Sequence, residues 1–278
     1  MNLPEKVFNK AIGTLRGVKK SIFCKYLTDT HIVGYPKSGN TWVRFFLANY
    51  IAEVKNIKLD LEFDRTYTHQ ISGAHIYMSH LGGMHYNQSR AMSELDFDVI
   101  VKRAMGEMRR RPIAFLTRDP RDVIVSFYFH SRKYRPAESV SSFIRDEKIG
   151  IGQTIDYMNM WYASRSTFSD FSIFTYEDRR SHPVEEFTRL LQFLKWPIDK
   201  ELIERVVVLS DFDSMKTIEK NQTIDHKTFQ YGEASAPESL RMRKGKVGGY
   251  MDHASDDDIH FMNEEIKRLN HVFQYQVK

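Results

Sequence analysis

Short apolar runs, each closed by a glycine or proline turn and followed by apolar positions at helical spacing, recur along this chain. "HIVGY" (31–35) is a β-branched run ending in the turn Pro36-Lys37-Ser38-Gly39, and "TWVRFFLANYIAEV" (41–54) then repeats its apolar residues with a helical period. "HIYMSH" (75–80) reads as a second short strand before the turn Gly82-Gly83. "PIAFLTRDPRDVIVSFYFH" (112–130) repeats strand, turn and helix, with Asp119-Pro120 marking the turn because the residue before a proline avoids the helical region. "FSIFTYED" (171–178) predicts another strand, and "HPVEEFTRLLQFLKW" (182–196) a helix with proline near its first turn. Strands alternating with helices predict an α/β fold, a central parallel sheet flanked by helices on both faces.

The remaining segments are less periodic. Residues 55–75 show no strong period, and 217–240 are polar without one; a segment of that kind, taken here as 217–245, is expected to form a mobile loop or an active-site lid. Within residues 1–29, Phe8, Ala11, Ile12, Leu15, Val18 and Ile22 recur at helical spacing opposite Lys6, Lys10, Arg16, Lys19 and Lys20. A basic amphipathic helix over 5–27 either packs on its own domain or makes peripheral contact with an anionic membrane.

The 278 residues sit at the upper end of one α/β domain, and 41% apolar content suffices for a full core, so a single domain over 1–278 is expected. A net charge of +5 suits an anionic ligand but falls short of the concentrated basic face of a nucleic-acid binder. Cys24 is the only cysteine, which excludes an intrachain disulfide or a cysteine metal cluster and favours a reducing compartment. With no apolar run of about 18 residues and no signal-like stretch, a cytoplasmic location is expected.

The stretch "GYPKSGNT" (34–41) has the outer skeleton of a phosphate-binding loop, G-x-x-x-x-G-K-[ST]. Gly34, Gly39 and Thr41 keep the pattern, but Asn40 fills the lysine position and the lysine has moved into the loop as Lys37. A turn between strand and helix presents free N–H groups at the positive end of the helix, so Lys37 to Thr41 should cradle an anion. In "TRDPRDVIVSFYFH" Arg118 ends a strand and Ser126 lies about two helical turns on, so the two converge on one ligand only if the turn folds back. Arg118 could equally pair with Asp119 or Asp122.

Together the two segments resemble the cytosolic sulfotransferase family, which carries a P-K-[ST]-G-T-T-W loop and, later, R-[ND]-P-[KR]-D-x-x-x-S. The resemblance implies a nucleotide-kinase-like fold of the phosphate-loop NTPase type. It also implies transfer of a sulfuryl group from 3′-phosphoadenosine 5′-phosphosulfate (PAPS) to an acceptor hydroxyl or amine, releasing 3′,5′-adenosine bisphosphate (PAP). Lys37, Ser38, Gly39, Asn40, Thr41 and Trp42 would then hold the 5′-phosphosulfate, and Arg118 and Ser126 the 3′-phosphate. "RMRKGKVGG" (241–249) is similar to the family's R-K-G-x-x-G signature, so Arg243, Lys244 and Gly245 would complete the 3′-phosphate site. "MSHLGG" (78–83) looks like the family's K-T-H-x-P, with His80 as the base. "FTYED" places Tyr176 at a cofactor-contacting tyrosine, and "SDFDSMK" (210–216) places Ser210 and Phe212 near the adenine, which Trp42 and Phe212 could sandwich.

The chemistry is consistent with those residues. An acceptor hydroxyl must lose its proton as sulfur is attacked, which a neutral imidazole can accept; His75, His85 and His130 are alternatives to His80. Lys37 can stabilise charge developing on the bridging oxygen, so no metal is expected. Several positions depart from the family pattern: Met78, Gly82 and Asn40, Gly249-Tyr250 in place of G-D-W's last residues, and the absence of a K-x-x-x-T-V-x-x-x-E element, which leaves the oligomeric state open. A phosphate-loop kinase would need a lysine after Gly39, and a non-catalytic nucleotide binder would be expected to lack Lys37 or His80. The acceptor pocket is expected from 43–90, 131–160 and 217–240, with Phe63, Tyr77, Phe143, Tyr157 and Phe229 among its aromatics, suited to a small-molecule or carbohydrate acceptor.

Overall fold

Four parallel strands form one sheet, in the order β2-β1-β3-β4: β1 (Thr30–Gly34), β2 (Ile76–Ser79), β3 (Pro112–Thr117) and β4 (Asp170–Thr175). The computed structural model describes residues 30–62, 65–73, 75–80, 106, 108–132, 138–221, 223–224, 242 and 244–275. All four strands anticipated from the hydropathy pattern are present, and every pairing is parallel. β1 is buried along its whole length, as a central strand covered on both faces must be.

Side chains alternate across the sheet. Ile32, Ala114, Leu116 and Phe174 face one core, shared with α1 (Asn40–Lys55), α7 (Pro183–Phe193) and α8 (Lys200–Leu209). Val33, Ile113 and Phe115 face the other, shared with α3 (Pro120–Ser131), α5 (Ile151–Ala163) and α10 (Asp256–Ile266). Phe46 on α1 stacks on Phe187 on α7 with centroids 3.8 Å apart, which locks the first layer. Each such fully buried ring contributes about 1.5–3 kcal/mol relative to exposure. Shorter helices complete the chain: α2 (Arg65–Ser72), α4 (Val140–Arg145), α6 (Tyr176–Ser181) and α9 (Phe212–Asn221).

Three expectations change. Residues 217–221 of the anticipated lid belong to α9, whose buried Glu219 accepts the backbone N–H of Met242; residues 225–241 lie outside the described set. The strand expected to run to 178 ends at Thr175, because the Thr175 hydroxyl accepts the N–H of Asp178 and starts α6 at Tyr176. Phe143 and Tyr157, expected in an acceptor wall, are completely buried core residues on α4 and α5; the regular helices there were hidden by polar neighbours. The amphipathic segment 5–27 and the aromatics Phe63 and Phe229 lie outside the described residues.

The register decides where chemistry can occur. Val33 pairs with Ser79, Gly34 with Leu116, and Thr117 with Thr175. The residues that follow these pairs leave the same edge of the sheet side by side: His80 after β2, the 35–39 loop after β1, Arg118 after β3 and Tyr176 after β4. β1 is flanked by β2 on one side and β3 on the other, so successive connections leave in opposite directions and open a crevice at the carboxyl ends, where open α/β sheets bind ligands.

Candidate active site

The loop after β1 is built for an anion. Lys37 has φ 74° and Gly39 φ 88°, so left-handed residues flank Ser38 and turn the backbone sharply into α1. For lysine this conformation is unusual and is retained where the surroundings enforce it. Gly39 caps α1 without a side-chain hydrogen bond, and the first turn carries no acidic residue. The N–H groups of that turn and the positive end of the helix dipole are therefore available to a ligand. Gly39 is required as glycine: a Cβ there would lie 2.8 Å from the Tyr176 ring and 3.1 Å from Nη2 of Arg179.

A cavity of about 310 Å³ lies above this loop. Lys37, Gly39, Asn40, Thr41, Trp42, His80, Arg118, Ser126, Tyr176, Phe212, Lys244 and Gly245 all line it. Residues from six separated segments, singled out in sequence, thus meet in one space. Ser38 is 2% exposed and does not line the cavity, so its place in the loop is through its backbone. Ser210 is also absent from the lining: its side chain is wholly buried, and its hydroxyl accepts from Asn49 Nδ2 at 3.4 Å, which removes the direct adenine contact expected of it. Arg243 lies outside the described residues.

His80 is fixed by the phosphate loop itself. Its Nδ1 stands 2.8 Å from the carbonyl oxygen of Gly34 and 3.3 Å from Nδ2 of Asn40. A carbonyl can only accept, so the shorter contact requires the proton on Nδ1 and leaves the lone pair of a neutral ring on Nε2. The residue that departs from the usual loop pattern, Asn40, therefore sits beside the candidate base.

Arg118 is a hub. It donates to the carbonyls of Lys37 (3.4 Å) and Lys246 (3.0 Å), and its guanidinium lies 4.2 Å from the centre of the Tyr176 ring. It also faces Asp122 at 3.6 Å, so the surface ion pair entertained from sequence exists, but inside the cavity. Asp122 in turn accepts the backbone N–H groups of Gly248 (2.8 Å) and Tyr250 (2.9 Å), tying the 244–250 segment to α3. Burial raises the Asp122 carboxyl above its ordinary range, while Arg118 and these two N–H groups oppose the rise. Gly245 fits because it has no side chain: a Cβ would meet the Phe212 ring at 2.4 Å, and its carbonyl accepts the Tyr176 hydroxyl at 3.2 Å.

Sequence reasoning missed several lining residues. Lys246 and Arg180 add positive charge; the Arg180 guanidinium stands 6.0 Å from the Trp42 ring and 5.9 Å from the Phe212 ring. Met215 and Met242 also reach the cavity, as does His130, which the sequence had offered as an alternative base. Lys246 could have been found as part of the basic turn "RKGK", whereas Arg180 has no sequence signal beyond its neighbour Tyr176. Lys244 and Lys246 both pair with Asp252, at 3.2 Å and 2.7 Å. Among the described residues no group of three or more His, Cys, Asp or Glu is placed to hold a metal, and no helix is long and apolar enough to cross a membrane.

Comparison with known proteins agrees with this geometry. Residues 27–278 match the model of the sulfotransferase domain. Cytosolic sulfotransferase 12 of Arabidopsis thaliana is 26% identical over 87% of this chain and 76% of its own length. Sulfotransferase 1E1 of Bos taurus is 25% identical over 81% and 77%. Among solved structures, mouse sulfotransferase SULT7A1 complexed with PAP superimposes with a TM-score of 0.57 at 17% identity, covering 87% of this chain and 83% of that one. Retinol dehydratase in complex with androsterone and inactive cofactor PAP gives a TM-score of 0.59 at 16% identity, covering 86% and 80%. With the family model spanning nearly the whole chain, and with the phosphate loop, His80 and Arg118 gathered at one sheet edge, this protein belongs to the sulfotransferase domain family.

Proposed function

We propose that this sulfotransferase uses PAPS as donor and His80 as the base that activates the acceptor. The observation that carries the reading is the single cavity in which the phosphate loop, His80 and a separate cationic group of Arg118 and Lys244 converge. The donor set fits a nucleotide with two anionic ends: uncapped N–H groups and Lys37 at one, and Arg118, Ser126 and Lys244 at the other. When bound, PAPS supplies the sulfuryl group, with a new S–O or S–N bond to the acceptor and cleavage of the S–O bond to phosphate.

The chain's own residues do the rest. His80 Nε2 takes the acceptor proton, with Gly34 O holding the ring in the tautomer that makes this nitrogen basic. Lys37 places an ammonium where negative charge grows on the departing side, a contribution made mainly in the transition state. Trp42, Tyr176 and Phe212 supply ring surface for the base. The acceptor is a small-molecule or carbohydrate hydroxyl or amine.

The test is a thermal-shift titration with PAP, using magnesium-ATP as control. At 100 times its dissociation constant a ligand stabilises the fold by about 2.7 kcal/mol, which is readily measured. Stabilisation by PAP alone is the expected result. Stabilisation by magnesium-ATP alone would overturn the reading; after the expected PAP result, a panel of a phenol, a steroid alcohol, a fatty alcohol and an amino sugar assigns the acceptor.

A further inference from the structure

Among the described residues two arginines are almost wholly buried, each 1% exposed, and they are treated very differently. Arg121 is neutralised: it pairs with Asp119 at 2.7 Å and also donates to Asn263. Arg179 on α6 is not. Its Nη1 donates to the carbonyl of Phe174 (2.8 Å) and its Nη2 to the carbonyl of Ser38 (3.0 Å), its Nε has no partner, and it forms no ion pair among the described residues. A buried charge whose hydrogen bonds go only to carbonyls, with Glu177 and Glu186 acting on it through space, is costly unless something else also uses its field.

Its position shows what could use it. Nη2 lies under the phosphate loop, bonded to Ser38 O and 3.1 Å from where a Cβ on Gly39 would stand. Gly39 is the N-cap of α1, so a full positive charge has been placed beside the positive end of a helix dipole. That juxtaposition is repulsive at the loop, is offset in part by the fields of Glu177 and Glu186, and becomes favourable when an anion occupies the loop. Burial lowers the Arg179 guanidinium to about 10, against the field of Glu177, so it still carries its proton at neutral pH.

We propose that Arg179 is a positioning residue for the donor's 5′ end, bracing the loop through Ser38 O and adding, from beneath, a fixed positive field that the bound 5′-phosphate completes. Arg179 is absent from the cavity lining, so it acts through the loop and through space, without contact. The inference rests on the donor site proposed above.

The experiment compares Arg179→Gln, which keeps N–H donors and loses the charge, with Arg179→Lys, which keeps the charge, and Arg179→Met, which loses both. Dissociation constants are measured for PAP, 5′-AMP and 3′-AMP on each folded variant, with thermal melts alongside. Arg179→Gln should weaken PAP and 5′-AMP by the same factor, about tenfold for one unit charge at this range in a partly solvated interior, and leave 3′-AMP unchanged. Arg179→Lys should restore most of the loss. If Met fails to fold, the Gln and Lys pair still decides. Equal weakening of all three nucleotides, or no difference between Gln and Lys, would reduce Arg179 to a structural brace and overturn the proposal alone. Absence of PAP binding by the unmodified protein would overturn the donor reading, and this inference with it.

Discussion

His80 and Arg118 illustrate how differently two residues of one site depend on their surroundings. His80 touches the loop through Nδ1, so His80→Ala should fold, retain PAP affinity within a few-fold and lose about 10²–10⁴ in turnover. Lys37→Ala should behave likewise, because its ammonium matters most as charge develops. Steady-state kinetics beside PAP titration separate these outcomes; normal turnover in His80→Ala would move the base to another histidine, with His130 the described alternative inside the cavity. Arg118→Ala should instead weaken PAP by about 1.5–3 kcal/mol for a lost charge-assisted contact. It also releases the carbonyls of Lys37 and Lys246 and leaves Asp122 without its cation. Isothermal titration of this variant should therefore show a larger loss than Ser126→Ala.

The elements that deliver chemistry were legible because each is punctuated. Gly34 and Gly39 frame one strand-to-helix turn and Asp119-Pro120 the other, and glycine and proline leave a mark that a single sequence preserves. What could not be read is contact across the chain: that Asn40 meets His80, that Arg179 reaches Ser38, or that Ser210 turns inward to Asn49. α5 was obscured because its apolar positions lie among polar ones in a segment assigned to the acceptor pocket, although Ile151, Thr154, Ile155, Met158 and Trp161 form one buried face. α10 carried a signal that went unread, the capping box Ser255-x-x-Asp258. Burial pushes the Asp258 carboxyl up, but hydrogen bonds from Arg145, Ser141 and Ser255 outweigh it and bring it down to about 2. A depressed carboxyl stabilises the fold fully above its ordinary value near 3.8 and loses that contribution as pH falls toward 2. Asp258→Asn should cost about 2 kcal/mol at pH 7 and flatten the fall in melting temperature between pH 4 and 2.

At the scale of the whole molecule, the sheet carries two hydrophobic layers that hold four strand ends in register, and the site is the edge those ends share. A net charge of +5 draws anions toward it, but attraction at long range is not the same as a vacant cationic site. Asp252 is the reason. Its carboxylate already occupies Lys244 and Lys246, so an arriving phosphate must displace an internal rival for those lysines. Binding there is a swap of anions, and dissolved salt weakens the old partnership along with the new one. PAP affinity should consequently fall less between 50 and 200 mM salt than two free lysines would require, and Asp252→Asn should both tighten PAP at low salt and steepen that fall. The protein carries its own competitive inhibitor in miniature, tethered eight residues from one lysine and six from the other.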